Sequence, residues 1–356
     1  MKYAEHITIV RCEGYTKVVM QNPWKAGEVL HTYELVPRGS ERAARERESG
    51  TTVVSVPLRR SVVFNTAHAW LIGTLGAVEQ VAGVADLRFM QLPWVHQLVR
   101  AGRIADCGDS MSPDMEKIID LDADAILLSP FENSGGYGRI EKLGVPLIAC
   151  ADYMETSALG RAEWMKFYGL LYGKEQEADS LFHVVDSAYQ ELKASLHLPH
   201  EGERHEVRPA LKGVPKMITE KLTGSTWYVP GGKSSVGRLI ADAGGRYAWA
   251  DDGHSGSLAL SFETVLDKSG DADVWIFNDF GERPMTYGRL AAEYRGYGQL
   301  KAFRNHNVWY VNSLRVPYFE EVSFRPDWLL RDYICMLHPQ LGLGEPRYYV
   351  KMKDER

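Results

Sequence analysis

The side chains most able to do chemistry form no recognisable catalytic or metal-binding motif in this sequence. The segment PGGKSS suggests a phosphate-binding loop, but a Walker A motif needs a glycine where Trp227 stands, five residues before Gly232. We therefore interpret it as a glycine-rich turn before a helix. HExxH, GxSxG and CxxC patterns are absent. An enzyme stays open, because catalytic groups can be distant in sequence. Structural or surface roles are favoured for four scattered histidines without metal-ligand spacing: His68, His96, His183 and His254.

Aromatic side chains recur just beyond the predicted ends of strands. They are Phe131, Tyr153, Trp227, Tyr228, Tyr318 and Phe319. Large flat ligands are bound by such surfaces together with a few polar groups, so these positions indicate a pocket. Trp275 and Phe277 lie inside a predicted strand and are interpreted as core. Four basic side chains near element ends could offset charge on an anionic ligand, although solvated surface is the default for each: Arg88, Arg139, Lys233 and Arg315.

The composition is that of a globular protein with room for two sizeable cores. Apolar residues make up 45% and charged residues 25% of the 356 positions, which excludes a disordered chain. The net charge of −6 argues against nucleic acid as the main partner. No apolar run approaches the roughly 18 residues that a membrane-spanning helix needs.

The N-terminal segment and the cysteines give information about the cellular compartment of the protein. MKYAEHITIV lacks the basic and apolar regions of a signal peptide. Two interpretations stay open, a cytosolic protein or a mature chain whose leader has been removed. Cys12, Cys107, Cys150 and Cys335 are widely separated, and four buried thiols are favoured over one disulfide.

The region from Arg161 to Leu196 has the spacing of an amphipathic helix and lies near the middle of the chain. Its apolar residues recur at intervals of three and four, which places them on one helical face. Gly173 is predicted to divide it into a short helix and a long one. The long piece, residues 174–196, would span about 35 Å, roughly the width of a domain. We interpret the region as a strut between two α/β lobes.

Strand and helix patterns lie on both sides of this region. Residues 6–37 predict an antiparallel β meander, and residues 38–50 a charged loop. From residue 53 short apolar runs alternate with helices, and after a polar linker at residues 197–215 the alternation starts again. This alternation predicts parallel sheets covered on both faces, with ligands bound beyond the carboxyl ends of the strands. Two such lobes would place their loops around one cleft.

Several helix boundaries can be predicted in detail. Thr66 and Ser112 are predicted N-caps, with Pro113 in the first turn of the second helix. Residues 290–303 predict one continuous helix. The run STWYV predicts a strand of the second lobe, with Trp227 and Tyr228 at its end.

Several ordered stretches together resemble one known family. They are GTLGAVEQVAGVAD, GRIADCGDSMSPDMEKIIDLDADAILLSP, YVPGGKSSVGRLIADAGGRYAWADD, ALSFETVLDKSGDADVWIFN and RPDWLLRDYICMLHPQL. Over residues 53–340 the chain resembles the substrate-binding proteins of ABC importers for iron–siderophore, haem and cobalamin. The implied fold is α/β, with two Rossmann-like lobes that have parallel-sheet cores and are joined by a single long helix, plus an N-terminal β meander. The implied domains are an N-terminal β extension packed on the first lobe (1–52), the first lobe (53–160), the connecting helix region (161–196) and the second lobe (197–356).

The resemblance also implies partners and site residues. In this family a Glu on each lobe meets arginines of the permease, and Glu116 and Glu263 hold the matching positions. The expected partners are therefore an ABC permease with its ATPase and a small-molecule metal chelate, with no nucleic acid and a monomeric protein. Pocket residues chosen by position are Thr66, His68, Arg88, Phe131, Tyr153, Trp227, Tyr228, Asn278 and Tyr318.

The resemblance implies binding and delivery without catalysis. A ferric siderophore is the first choice of ligand, with cobalamin or haem behind it, and no cofactor or protein metal ligand is expected, because the metal arrives inside its chelator. The expected location is the periplasm or a lipid anchor facing it. Two other classes stay open: a two-lobed α/β enzyme such as a chelatase or metallocluster reductase, and a surface protein that captures chelates without its own permease. A metallocluster would require converging Cys or His ligands, which the cysteine spacing does not suggest.

Overall fold

The computed structural model describes residues 1–40, 50–132, 137–196 and 213–354. The chain divides into two compact units, each with a parallel sheet of its own. The first unit comprises residues 1–155, 159–184 and 319–324, and the second comprises residues 156–158, 185–318 and 325–356. The predicted α/β class with parallel-sheet cores is confirmed.

A four-stranded sheet opens the first unit. Its strands are β1 (Ile7–Cys12), β2 (Tyr15–Gln21), β3 (Val29–Pro37) and β4 (Thr51–Val56). The first three are antiparallel, which confirms the predicted meander, and β4 pairs parallel to β3 along its whole length. The sheet therefore extends into the run VVSVP. Residues 41–49 of the predicted charged loop lie outside the described residues.

Five parallel strands form the core sheet of the first unit. They are β5 (Ser61–Val63), β6 (Val81–Val84), β7 (Ala105–Asp106), β10 (Ala125–Leu128) and β11 (Leu147–Ala149), in the order β11-β10-β5-β6-β7. Every residue of β5, β6 and β10 is buried, as expected for a parallel sheet covered on both faces. The intervening helices are α1 (Thr66–Thr74), α2 (Pro93–Arg100) and α3 (Met115–Asp120), with short 3-10 turns at residues 78–80, 87–89, 138–143 and 152–154.

Two predicted helix caps are wrong. Asn65, not Thr66, caps α1: its backbone is extended and its side chain accepts from the N–H of Ala67 at 2.8 Å. Ser112 cannot cap α3, because β9 (Ser112–Pro113) pairs with β8 (Gly108–Asp109) in a small hairpin. The helix therefore begins later, with Asp114 accepting from the N–H of Lys117.

The central helical region consists of three helices: α4 (Ala158–Glu163), α5 (Met165–Tyr172) and α6 (Glu175–Ala194). The predicted break at Gly173 is confirmed, since this residue ends α5 in the left-handed conformation with φ of 67°. A second break at Trp164 was not predicted. Residues 175–184 of α6 belong to the first unit and residues 185–194 to the second. Residues 197–212 of the predicted linker lie outside the described residues.

Two buried carboxylates hold the N-terminal segment on the first unit. Glu163 accepts the main-chain N–H groups of residues 2–4 at 2.7–3.0 Å, and Glu155 accepts those of residues 5 and 6 at 2.9 Å. Burial alone would raise the pKa of both carboxyls, but these hydrogen bonds outweigh it and hold each pKa below its ordinary value. We call Glu155 and Glu163 the N-terminal clamp.

Tyr33 joins the N-terminal sheet to the core sheet. Its buried hydroxyl donates to the carbonyl of Leu147 at 3.0 Å and accepts from the N–H of Ala149 at 2.9 Å. Both partners lie in β11, the edge strand of the parallel sheet. The phenol thus satisfies main-chain groups that an edge strand leaves unpaired.

The second unit contains two sheets. The strands are β12 (Lys216–Thr219), β13 (Leu222–Thr223), β14 (Thr226–Pro230), β15 (Arg246–Tyr247), β16 (Ser257–Leu260), β17 (Val274–Asp279), β18 (Val308–Asn312) and β19 (Val350–Lys351). The parallel core sheet has the order β15-β12-β17-β18, with β19 antiparallel at its edge, and a small antiparallel sheet has the order β13-β14-β16. The predicted strand STWYV therefore exists as β14, but it lies in the small sheet.

The later helices confirm most of the predicted pattern. They are α7 (Ser235–Asp242), α8 (Phe262–Ser269), α9 (Tyr287–Glu293), α10 (Lys301–Arg304), α11 (Tyr318–Glu321) and α12 (Pro326–Leu337), with 3-10 turns at residues 295–299 and 339–341. The prediction of one helix over residues 290–303 is wrong, because a 3-10 turn separates α9 from α10. The predicted turn in PGGKSS is confirmed: a Cβ on Gly232 would lie 2.3 Å from the carbonyl of Trp249. Ser234 then caps α7.

Asp332 holds a later segment of the chain in the second unit. This residue of α12 is fully buried and accepts the main-chain N–H groups of Arg347 at 2.6 Å and Tyr348 at 2.7 Å. Burial raises the pKa of Asp332 and outweighs the hydrogen bonds from the main chain. We call Asp332 the C-terminal clamp.

Candidate functional site

A pocket of about 620 Å³ lies at the carboxyl edge of the first unit's parallel sheet. Its walls come from the segments that follow β5, β6, β7 and β10, four neighbouring strands. The lining residues are Phe64, Asn65, Asp86, Ser110, Met111, Ser112, Pro113, Met115, Leu128, Ser129, Phe131, Tyr137, Gly138, Arg139 and Ile140. This is the edge at which open α/β sheets bind ligands.

The floor of the pocket is a packed apolar core. Leu128 and Ile140 line the pocket and belong to a buried cluster with Val62, Ile118 and Cys107. Burial raises the pKa of the Cys107 thiol to about 11, so this thiol stays protonated at neutral pH. The floor can therefore supply apolar contact and contributes no nucleophile.

The polar side chains on the pocket walls make hydrogen bonds within the first unit. Asp86 follows β6 in the left-handed conformation with φ of 53°, and its carboxylate accepts from the N–H and hydroxyl of Ser110. Asn65 caps α1 and donates to Ser129 at 3.3 Å. Arg139 is exposed on the wall. The pocket thus combines an apolar floor, a fixed carboxylate, fixed hydroxyl and amide groups, and one cationic side chain.

Two predicted ligand residues lie at or beside this pocket. Phe131 lines it with 49% of its surface exposed. Tyr153 is half-buried, and its hydroxyl donates to the carbonyl of Pro130, next to Phe131. Arg139, noted in the sequence only as a basic side chain near an element end, lines the same pocket.

Three other predicted ligand residues of the first unit have partners elsewhere in that unit. The Thr66 hydroxyl donates to Glu320 at 2.9 Å. His68 is 1% exposed and shares a hydrogen bond of 2.9 Å with Asp152. Arg88 is exposed and pairs with Asp109 at 3.2 Å. None of the three lines the pocket.

The predicted residues of the second unit are divided between core and surface. Trp227 has no exposed surface, and its ring packs against Trp275, Phe262 and Tyr297. Tyr318 is buried and shares a hydrogen bond of 3.0 Å with Tyr349. Tyr228, the neighbour of Trp227 on the other face of β14, is 48% exposed.

Asn278 lies near the carboxyl end of β17, beside Glu220, which was not among the predicted site residues. Its side-chain nitrogen donates to Glu220 at 3.3 Å. Glu220 directly follows β12 and has φ of 62°, a conformation that costs a residue with a side chain about 1 kcal/mol or more. Only a turn residue such as Gly or Asn at this place would have signalled the conformation in the sequence.

Glu116 and Glu263 occupy equivalent local positions. Each is exposed in the first turn of a short helix, α3 or α8, and each helix precedes a buried parallel strand, β10 or β17. Their predicted placement on helices before apolar strands is confirmed. Docking to a permease stays a prediction.

Within the described ranges, no group of three or more His, Cys, Asp or Glu side chains is arranged to hold a metal ion. In the same part of the chain, no helix has both the length and the apolar character needed to cross a bilayer. All four cysteines are free thiols, and three of them are buried.

Comparisons with known proteins agree with this architecture. An uncharacterized lipoprotein of Methanocaldococcus jannaschii is 26% identical over 83% of this chain and 69% of its own length. The structure of a periplasmic haem-binding protein from Roseiflexus sp. is similar with a TM-score of 0.60, 21% identity, and coverage of 80% of this chain and 99% of that one. The structure of an ABC-type Fe3+-hydroxamate transport system protein from Saccharomonospora viridis is similar with a TM-score of 0.58 and 16% identity. That similarity covers 80% of this chain and 94% of the other. These two structures show a shared fold.

The family itself is established by a sequence model. The model described as periplasmic binding protein matches residues 62–313, which include the parallel strands β5 to β18. The match covers more than half of the chain and both parallel sheets. The chain belongs to the periplasmic binding protein family.

Proposed function

We propose that the protein binds a metal chelate, with a ferric siderophore as the first candidate, and delivers it to the permease of an ABC importer. The observation that carries the proposal is the pocket of about 620 Å³ at the carboxyl edge of the first unit's sheet. Small-molecule sites usually enclose about 300–1,000 Å³ and combine apolar walls with a few polar groups. This pocket has that volume and that composition.

The chemistry of the walls suits a preformed chelate. A siderophore surrounds iron with its own oxygen donors, so the protein must supply shape, hydrogen bonds and counter-charge, and no resident cofactor is required. Phe131 and Met111 offer exposed apolar surface, and Ser129 offers a hydroxyl. The Arg139 guanidinium can pair with an anionic oxygen on the chelate.

Haem is the second candidate ligand. The structural neighbour from Roseiflexus is described as haem-binding. Phe131 and Tyr137 on the wall could pack against a flat macrocycle, with Arg139 available to a propionate.

The proposed site of action is the periplasm or the outer side of a membrane, where the protein would be held by a lipid anchor. The family description and the lipoprotein relative support this location. Delivery would use the exposed carboxylates of Glu116 and Glu263 to set the register against a permease that works with an ATPase. Exposed ion pairs contribute only about 0–1 kcal/mol each, so these residues would guide encounter more than they add affinity.

Titration of tryptophan fluorescence with ferric siderophores and haem tests the binding step. We expect saturable quenching by at least one chelate, and an affinity about tenfold lower in Arg139→Ala, because a hydrogen bond to a charged group is lost. Arg100→Ala, which removes an exposed arginine of α2 away from the pocket, should bind like the parent protein. Absence of saturable quenching by every chelate would contradict the proposal.

Uptake in cells tests the delivery step. Combining Glu116→Ala with Glu263→Ala should leave chelate binding unchanged and abolish uptake through the cognate importer. Unchanged uptake in this double variant would show that the carboxylates of Glu116 and Glu263 are not needed for delivery.

A further inference from the structure

The turn of the β8–β9 hairpin lies on the wall of the first unit's pocket. Ser110 and Met111 form this turn, and both line the pocket. The Met111 side chain is nevertheless 77% exposed, and Phe131 on the same wall is 49% exposed. A single exposed apolar side chain is ordinary, but two on the wall of one pocket form a surface that a ligand can cover.

The hairpin is too short to fix its own turn. Each strand has two residues, and even longer isolated hairpins are marginally stable in water. The base of the hairpin is joined to the core sheet. There the N–H of Asp114 donates to the carbonyl of Cys107, and the N–H of Cys107 donates to the carbonyl of Val84, each at 2.8 Å. The turn beyond this base needs a further support.

Asp86 supplies that support from just beyond β6. Its φ of 53° is a conformation that aspartate tolerates better than most residues. Its carboxylate accepts from the N–H of Ser110 at 3.2 Å and from the hydroxyl of the same residue. Its main-chain N–H donates to the carbonyl of Gly108 at 2.7 Å. Three hydrogen bonds thus join Asp86 to the hairpin, and two of them hold the residue before Met111.

Asp109 holds the same turn from within the hairpin. Its carboxylate accepts from the N–H of Met111 at 2.9 Å and lies 3.2 Å from the guanidinium of Arg88. The backbone on both sides of the turn is therefore fixed, while the Met111 side chain stays exposed. A backbone that is already ordered costs less conformational entropy when a ligand binds to it.

We propose that Met111 contacts the apolar part of the ligand and that Asp86 is the residue that positions it. This inference rests on the proposed function and adds a specificity element to the same pocket. It favours a chelate that presents hydrocarbon surface to the hairpin. Covering a methionine side chain strengthens binding by about tenfold or more. Asp86 acts through the hairpin turn, so its hydrogen bonds to Ser110 matter more than its charge.

Ferrioxamine B and haem are the probes, and their dissociation constants are measured by tryptophan quenching. Ferrioxamine B is a ferric trihydroxamate with pentamethylene chains between its iron-binding groups, and haem has an apolar macrocycle, so both present hydrocarbon surface. Met111→Ala removes the apolar contact. Asp86→Gly removes the carboxylate at a position whose left-handed backbone suits glycine. Asp86→Asn removes only the charge, because its amide can accept from the N–H of Ser110 and donate to the hydroxyl.

Two residues outside the pocket lining provide matched controls. Ile119→Ala removes an apolar side chain of α3 that is 59% exposed, and it is the control for Met111→Ala. Asp122→Gly removes another aspartate with a positive φ, of 46°, and it is the control for Asp86→Gly. Neither Ile119 nor Asp122 lines the pocket, so both variants should bind like the parent protein.

We expect Met111→Ala and Asp86→Gly each to weaken the binding of at least one probe by about tenfold. Asp86→Asn should restore most of the affinity that Asp86→Gly loses. The variant that combines Met111→Ala with Asp86→Gly should bind no more weakly than either alone, because Asp86 has no effect once the side chain that it positions is gone.

The outcomes separate the inference from the proposed function. Parent-like binding of both probes by Met111→Ala would overturn the inference and leave the proposed function standing. Losses that add in the combined variant would also overturn it, because they indicate that Asp86 acts independently of Met111. A loss in Asp86→Asn as large as that in Asp86→Gly would overturn the positioning role, because it indicates a contact made by the charge. Saturable binding of neither probe would count against the inference and the proposed ligands together.

Discussion

The N-terminal clamp and the C-terminal clamp both hold a chain segment by hydrogen bonds from main-chain N–H groups to a buried carboxyl group, but the pKa of the carboxyl group is shifted in opposite directions. Glu155 and Glu163 of the first unit, and Asp332 of the second, all accept main-chain N–H groups from distant residues. The pKa is lowered at both glutamates and raised at the aspartate. One clamp is therefore more stable with its charge, and the other is more stable without it.

The difference lies in what accompanies the main-chain donors. Glu163 also pairs with Lys166 at 2.9 Å, and Glu155 also accepts from the indole N–H of Trp164 at 2.8 Å. Asp332 is fully buried, and the guanidinium of the adjacent Arg331 donates to the carbonyls of Leu343 and Glu345. Main-chain hydrogen bonds alone do not offset the desolvation of a buried carboxylate, whereas the same bonds with further donors do.

The largest effect is expected from Glu163→Gln. The substitution replaces one acceptor oxygen by an NH₂ group facing the N–H groups of residues 2–4, and it removes the charge that pairs with Lys166. We expect the free energy of unfolding to fall by about 3 kcal/mol, because buried donors are left unsatisfied. Urea unfolding measures it, with the exposed Glu191→Gln of α6 as the matched control. A loss no larger than that of the control would show that the segment is held by other contacts.

A smaller effect is expected from Asp332→Asn. Burial already disfavours the charge of this carboxyl, and asparagine keeps one oxygen that can accept from Arg347 or Tyr348. We expect a loss of about 1 kcal/mol in the free energy of unfolding. The exposed Asp267→Asn of α8 is the control. A loss equal to that of Glu163→Gln would mean that the two clamps do not differ in the way their pKa directions indicate.

Local patterns in the sequence predicted much of the fold, whereas no local pattern indicated the N-terminal or the C-terminal clamp. Helical spacing and Gly173 predicted α5 and α6 because both signals act within a few residues. Trp227 was misjudged because alternation along β14 buries it and exposes Tyr228. Glu163 contacts the main chain about 160 residues away, and a main-chain donor has no residue type to recognise.

The same limit applies to the candidate site. Phe131 was predicted because an aromatic residue in the loop beyond a strand can line a ligand pocket. Glu220 was missed because its positive φ and its contact with Asn278 both depend on the folded backbone. Thr66 was chosen as a cap and ligand residue, but the adjacent Asn65 is an equally good cap in the sequence and takes that position.

The smallest effect, and the sharpest test of the comparison, is the pH dependence of the two substitutions. The folded pKa of Glu163 lies below its ordinary value of 4.5, so its stabilisation is complete above pH 4.5 and is lost as pH falls through the folded pKa. The folded pKa of Asp332 lies above its ordinary value of 3.8, so its contribution is greatest below pH 3.8 and declines as pH rises through the folded pKa. The loss caused by Glu163→Gln should therefore shrink toward acid pH, and the loss caused by Asp332→Asn should shrink toward neutral pH. Urea unfolding between about pH 3.5 and 7 should therefore show losses that change with pH in opposite directions for the two substitutions. If both losses changed with pH in the same direction, folding would shift the pKa values of Glu163 and Asp332 in the same direction, contrary to this comparison.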